Sequence, residues 1–279
     1  MLSWLRKQPM WRYRGLIRQL TARDLKVRYK VSVLGFFWSL LRPLLTIGVL
    51  AAVFSILDME STRYNVTYPA LLLATYMPWF YFSAAFLEGT QSVLGNAHLV
   101  KKVYCPRAVF PASVVASNLI NFLLSMVVMV PLLYLCFDVT PTWALLQLPL
   151  VIVCHTLFLL GLCFALSMLN VLYRDTQQIV EFLALVWFYV SPVLYDSYEI
   201  YGRFGASSWW YFLNPMAGLL EWYRYCLLAS NLQTTEALAP LNQMTFQFAV
   251  PYAIVISILF AFGGYALMRR LEPRAVDEL

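Results

Sequence analysis

Six times along this chain an apolar run continues for about twenty residues, the length a helix needs to cross the hydrocarbon core of a bilayer. The runs cover residues 36–57, 69–94, 111–137, 145–172, 179–195 and 248–268. A water-soluble fold cannot bury so many uninterrupted apolar faces around one core. The composition agrees: 61% of the 279 residues are hydrophobic and 12% are charged, whereas soluble domains carry about 25% charged residues. The predicted class is an all-α integral membrane protein with six transmembrane helices. Nothing repeats at a fixed period and no tract is of low complexity, so one membrane domain is expected.

Lys and Arg set the orientation, because they concentrate on cytoplasmic loops. Nine of the twenty precede the first run: Arg6, Lys7, Arg12, Arg14, Arg18, Arg23, Lys26, Arg28 and Lys30. With that side cytoplasmic, six crossings also put Lys101, Lys102, Arg107, Arg174, Arg269, Arg270 and Arg274 inside, leaving Arg63, Arg203 and Arg224 outside. An odd number of crossings would carry Arg269 and Arg270 to the wrong face, so both termini are expected in the cytoplasm. Arg42 lies in or beside the first run, where charge is costly. It is expected to snorkel to the inner face, with Pro43 marking the start of the lipid-buried helix. The opening residues pass into the first run without a small-residue cleavage site, so no cleaved leader is expected.

Three amphipathic pieces are not spans. Residues 11–30 carry too much charge to cross, but Leu16, Ile17, Leu20 and Val27 form an apolar stripe, with Trp11 and Tyr13 suited to the interface. That pattern fits a helix lying along the inner leaflet, and equally a polybasic anchor to anionic lipid. Residues 96–113 are basic, contain Pro106 and Pro111, and exceed what a hairpin needs. They suit either a plain loop or a short docking helix. The third piece, 196–247, holds NPMAGLLEWYRYCLLAS, where Asn214 at the N-cap and Pro215 at the first position start a helix. This helix is too short to span and pairs Glu221 with Arg224 at i, i+3. A re-entrant or interfacial helix pair is expected, with Trp209, Trp210, Tyr211 and Phe212 at headgroup level.

Between the fourth and fifth runs, LNVLYRDTQQIVEF sets Arg174 and Asp175 side by side in a very tight turn. A solvated hairpin explains the charge. It does not explain Asn170, which at i, i+4 from Arg174 shares a helix face with it, while Asp175 is placed to cap the next helix. Catalytic and nucleotide-binding signatures are absent: there is no GxxxxGK[ST], HExxH or GxSxG. The five cysteines match no metal or redox spacing. His98 and His155 fall on separate elements, and His155 reads as a packed residue. Glu88 and Glu181 fall near helix ends, within reach of water.

Four stretches, in order and on matching sides, carry a resemblance. They are RDLKVRYKVSVLGFFWSLLRPLL (23–45), LVKKVYCPRAVFP (99–111), LNVLYRDTQQI (169–179) and FLNPMAGLLEWYR (212–224). Together they resemble the membrane subunits of type-2 ABC exporters, in the branch that exports O-antigen, capsule and teichoic-acid polysaccharides. The resemblance implies a permease subunit in a bacterial inner membrane, acting as a homodimer with two copies of a separate ATPase subunit. ATP and Mg would belong to that partner, with no cofactor in this chain. A lipid-linked polysaccharide and membrane lipids are the other implied partners; nucleic acid is not. Residues 1–33 would be a cytoplasmic gate or interface segment and 34–279 the transmembrane domain, with a coupling loop at 95–111 and an external re-entrant segment at 196–247. Leu99, Lys101, Lys102, Pro106 and Arg107 would meet the ATPase. Arg23, Lys26 and Arg28 would belong to the gate, with Asn170, Arg174 and Asp175 beside it at the inner mouth.

A sliding sugar polymer favours flat apolar faces, and in this family aromatic residues line the channel. Phe36, Phe37 and Trp38, then Tyr76, Trp79, Phe80, Tyr81 and Phe82, and finally Trp187, Phe188 and Tyr189 are the rings available for it; rings also fill interfaces and helix contacts. Three other classes would leave different marks in the sequence. A type-2 permease for a drug, haem or lipid usually carries a large external domain or another cytoplasmic signature. A membrane-embedded transferase needs clustered acids or histidines at one face. A channel or secondary transporter needs interrupted helices in paired halves with midplane charges.

Overall fold

The structure is a computed structural model that describes residues 13–30, 37–55, 63–102, 105–236 and 238–277. All regular structure among them is helical. In chain order the helices are α1 (Arg14–Lys30), α2 (Phe37–Ser55), α3 (Tyr68–Gln91), α4 (Ala97–Lys102), α5 (Val109–Cys136), α6 (Leu148–Leu172), α7 (Thr176–Val190), α8 (Ser197–Phe204), α9 (Pro215–Leu228), α10 (Ala239–Met244) and α11 (Val250–Asp277). Short 3₁₀ segments lead into α6 and α9, and a π-helical turn, Thr245–Ala249, joins α10 to α11.

Among the described residues, four helical runs are long and apolar enough to cross a membrane: Tyr68–Gln91, Val109–Cys136, Trp143–Leu172 and Ala239–Ala275. The other two apolar runs form shorter helices, Leu41–Phe54 within α2 and the whole of α7. α7 departs most from the sequence expectation. Its 15 residues rise about 22 Å at 1.5 Å each, less than the ~30 Å of hydrocarbon. The apolar run continues to Tyr195, but the residue before a proline is driven out of the helical region. Ser191, ahead of Pro192, sits at φ −90°, ψ 151°. α2 keeps close to the expected run, with Pro43 inside it and Arg42 exposed.

The main core is formed by buried faces of α3, α5, α6 and α9, with Phe82, Phe158, Leu159, Leu219 and Tyr223 at its centre. α9 is buried on nearly every side, from Met216 to Leu228. It is inserted among the long helices rather than laid over them. α6 and α11 share the most extensive contact in the fold. Gly161 and Gly264 meet there backbone to backbone: a Cβ on Gly264 would collide with the Gly161 carbonyl, and one on Gly161 with that of Phe260. Small residues of this kind let membrane helices approach closely.

A second core closes one end of the bundle. It joins Leu20 of α1, Val100 of α4, Phe110 of α5, Met168 of α6 and Met268 of α11. The residues 96–113 thus hold a folded helix, α4, docked by Val100. A third, smaller core at the opposite end gathers Phe212, Ala217, Leu241 and Ala249. We refer to these as the α1 end and the α9 end.

Candidate functional site

At the α1 end the sequence writes a polar stripe into an otherwise apolar helix. Ser113, Ser117, Asn118, Asn121 and Ser125 of α5 are all buried, and α1 lies against them. Thr21 Oγ1 donates to the Ser113 carbonyl at 3.3 Å, and Tyr29 Oη donates to Asn121 Oδ1 at 2.6 Å. Both pairs are 92 positions apart, so the two helices run side by side in the same direction for about 12 Å. α1 is therefore docked along the first turns of α5. Buried polar groups on a helix need partners, and α1 supplies several of them.

Arg28 fastens this contact. Its guanidinium donates to both carboxylate oxygens of Glu88 on α3, at 2.9 and 2.7 Å, and to Asn118 Oδ1 at 3.1 Å. Asn118 Nδ2 donates in turn to Glu88 Oε2 at 2.8 Å. Arg23 donates to Asn96 Oδ1 at 3.0 Å, beside α4, and pairs with Asp24. Lys26 is exposed. Nη2 reaches both Glu88 oxygens while Nη1 takes Asn118, so one guanidinium bridges α3 and α5.

The loop that follows α4 is braced from inside. Arg107 donates through its backbone N–H and Nη1 to Glu272 Oε1 of α11, at 3.4 and 3.3 Å. Its side chain is largely covered. Cys105 is buried beside it, and burial pushes its thiol up, against the opposing pull of Arg107. Leu99 packs on the second core and Pro106 is half-buried. Lys101 and Lys102 end α4, with side chains outside the described residues.

Asn170, Arg174 and Asp175 do not come together. α6 stops at Leu172, so Arg174 lies beyond the helix whose face it was expected to share. Asn170 is buried and donates to the Thr90 carbonyl at 3.3 Å; Arg174 and Asp175 are exposed. Asp175 does occupy the N-cap position of α7, but its side chain makes no capping bond.

The aromatic residues divide. Trp79, Tyr81 and Phe82 are buried in the main core, where Tyr81 stacks on Phe122 at 4.9 Å and Phe82 on Phe86 at 5.2 Å. Tyr76, Phe80, Trp187 and Phe188 are half-buried, and Tyr189 is exposed. Phe36 lies outside the described residues, as do the side chains of Phe37 and Trp38. His155 is packed as expected, with Nδ1 3.4 Å from Tyr223 Oη. Near the α9 end, Trp209 and Trp210 are about half exposed, but Tyr211 and Phe212 turn into the third core.

That end holds what local sequence reasoning missed. Arg63, Glu221 and Arg224 have side chains of 0% exposure and form one ion triad. Arg63 Nη1 meets Glu221 Oε2 at 2.7 Å, and Arg224 Nη1 meets Glu221 Oε1 at 2.5 Å. Arg63 further donates to Asn242 Oδ1 at 2.9 Å, Ser197 Oγ at 2.9 Å and Thr245 Oγ1 at 3.1 Å. Its backbone N–H reaches Asp196 Oδ2 at 3.3 Å. Arg224 Nη2 donates to the carbonyls of Pro192 and Tyr195, at 2.6 and 2.8 Å. Burial alone would lower the Arg63 pKa, yet Tyr64, Glu221 and Asp196 together hold it above its ordinary value. Burial likewise pushes the neighbouring Tyr64 well up. The only sequence signal was the i, i+3 spacing of Glu221 and Arg224; Arg63, 158 positions from Glu221, read as an ordinary outside charge.

The expected start of α9 is in place. Asn214 Oδ1 accepts from the Met216 N–H at 3.1 Å and from Trp187 Nε1 at 2.8 Å, while Nδ2 donates to Ser191 Oγ at 2.9 Å. One side chain thus caps α9 and ties it to the end of α7.

Comparison with known proteins covers almost the whole chain. Residues 15–228 match the family described as ABC-2 type transporter. The O-antigen export system permease protein RfbA of Myxococcus xanthus is 35% identical over 266 residues, spanning 95% of this chain and 96% of that one. A protein of the same name from Klebsiella pneumoniae is 29% identical over 253 residues, 84% of this chain and 93% of its own. The polysialic acid transport protein KpsM of Escherichia coli is 22% identical over 269 residues, 92% and 93% of the two chains.

Proposed function

The chain belongs to the ABC-2 type transporter family, and from that premise we propose that it is the permease subunit of an ATP-driven exporter of a cell-surface polysaccharide. The observation that carries this reading is the 35% identity to an O-antigen export permease, running nearly end to end in both chains. A likeness confined to the helices would speak for membrane insertion alone. This one includes the loops at both ends of the bundle.

In this reading the polymer is lipid-linked and crosses the bacterial cytoplasmic membrane. Two copies of the chain form the permease, and two copies of a separate ATPase subunit bind the ATP and Mg. The four long helical runs, with α2 and α7, make six crossings, and the α1 end faces the cytoplasm. α4 and the loop through Arg107 meet the ATPase. α1 serves as the gate, with Arg28 held by Glu88. Half-buried Tyr76, Trp187 and Phe188 and exposed Tyr189 are the rings best placed to face a partner copy or a polymer.

The test is mild-detergent purification of the tagged full chain from its native host, with stoichiometric companions identified by mass. A nucleotide-binding subunit near one-to-one is the expected result. Host cells lacking the chain should then keep finished polymer inside while their surface loses it. A chain that purifies alone, from cells whose surface polymer is unchanged without it, would overturn the reading.

A further inference from the structure

Three carbonyls around the end of α3 take hydrogen bonds from side chains. Ser92 Oγ donates to the Gly89 carbonyl at 2.6 Å, Asn170 Nδ2 to that of Thr90 at 3.3 Å, and Asn96 Nδ2 to that of Ser92 at 2.8 Å. The last four carbonyls of a helix lack partners within it, and side chains can supply them. The backbone then carries on rather than breaking. Ser92, Val93 and Ala97, at the joints of the short 3₁₀ segment, all keep right-handed helical dihedrals. α4 is thus a bent continuation of α3, and a displacement of α4 is felt at Thr90.

Of these three donors only Asn170 comes from outside the joint. It stands on α6, which runs beside α3 in the same direction: Phe82 stacks on Phe158, and Cys163 Sγ donates to the Ala85 carbonyl at 3.3 Å. Arg23 also reaches the joint, through Asn96, but its side chain is partly open to water. Asn170 and Thr90 are sealed, at 1% and 0% exposure. Asn170 Oδ1 has no partner among the described residues. A buried acceptor without a donor is costly, so packing alone would be served as well by a leucine of similar size. What the amide adds is the one bond that its nitrogen makes to Thr90. Just beyond Asn170 the chain turns into α7, which buries only Thr176, Val180 and Ala184. Trp187 of α7 leans edge-on against Phe82 and Phe86 of α3, at 5.1 and 6.0 Å.

We propose that Asn170 is a positioning residue that fastens the root of α4 to the turn between α6 and α7, so that the two shift together. Resting on the permease reading, a stroke delivered to α4 by the ATPase passes through this tie to α7 and its half-buried rings, without going by way of α1.

Amide hydrogen exchange on the full chain in nanodiscs tests the tie without calling on transport. N170L should speed exchange of residues 89–97 and 169–179 together, by a shared factor of about ten, while residues 113–125 keep their protection. Faster exchange in one segment alone, or in neither, overturns the proposal. If N170L loosens the whole chain, N170S is read by the same criterion, since its hydroxyl stops short of the Thr90 carbonyl. Transmission is then read on the complex with its ATPase subunit. N170L should keep its melting temperature and its rate of ATP hydrolysis yet export about tenfold less polymer. N170Q, which retains an amide donor, should recover most of that loss. Export that falls in step with melting temperature or hydrolysis would make Asn170 a packing residue and overturn its role. A chain that shows the tie but brings no ATPase would keep the tie and lose only the permease reading.

Discussion

At the scale of single residues, burial separates groups that look alike in the sequence. Of the five cysteines, four are buried and Cys136 is exposed. Cys136 closes α5 just before Asp138, at the end of the helix opposite α1, so it doubles as a marker of orientation. A membrane-impermeant maleimide added to intact spheroplasts should label Cys136, and Cys136→Ser should abolish the labelling. Cys105 should stay silent even in opened membranes, because it is covered and because burial raises its pKa; at any given pH it holds less of the reactive thiolate than an unperturbed thiol. Labelling of Cys136 only after the membrane is opened would invert the proposed topology. The same divide explains what the sequence disclosed. Asn214 was legible because a cap and a following proline act within three residues. Arg63 was not, since the carboxylate that turns an outside charge into a buried one lies 158 positions away.

At the scale of helices, apolar length located the hydrophobic runs but misjudged where the fifth of them ends. The end of α7 depends on how Pro192 acts on the residue before it, and hydropathy does not register that. Close approach of helices was equally hidden, because it depends on which of two adjacent glycines faces a neighbour. Gly263 and Gly264 of α11 are the clearest case: a Cβ on Gly263 meets open space, whereas one on Gly264 runs into the Gly161 backbone. G263A should therefore be neutral or raise the melting temperature, as removing an exposed helical glycine gains up to ~1 kcal/mol. G264A should lower it, because overpacking a tight contact costs about 1–3 kcal/mol, occasionally more. Thermal melts of the two variants in one detergent decide the matter. Similar melting temperatures would mean that α6 and α11 can separate freely.

For the molecule as a whole, the two ends of the bundle are built by different rules. The α9 end is bound by a sealed ion network. The α1 end is stitched by pairs that still reach water, Arg28 with Glu88 and Arg107 with Glu272, and partly exposed pairs of this sort are individually worth ~1 kcal/mol or less. Such an end can rearrange where the other resists, as suits the end proposed here to meet an ATPase. Arg107 is the pivot of that contrast: the family resemblance implies an ATPase contact for it, while its side chain is largely covered and paired with Glu272 of α11. A charge swap separates the two roles. If bracing α4 against α11 is its main task, R107E should lower export about tenfold, within the usual coupling of contacting residues. Adding E272R should then recover most of the loss, though not all, because an arginine cannot accept the Arg107 backbone N–H that Glu272 now takes. K101E, at the end of α4, should be indifferent to E272R. Failure of E272R to rescue R107E, with ATP hydrolysis uncoupled in both, would place the Arg107 guanidinium on the ATPase during the cycle and make its pairing with Glu272 a resting state that docking must break.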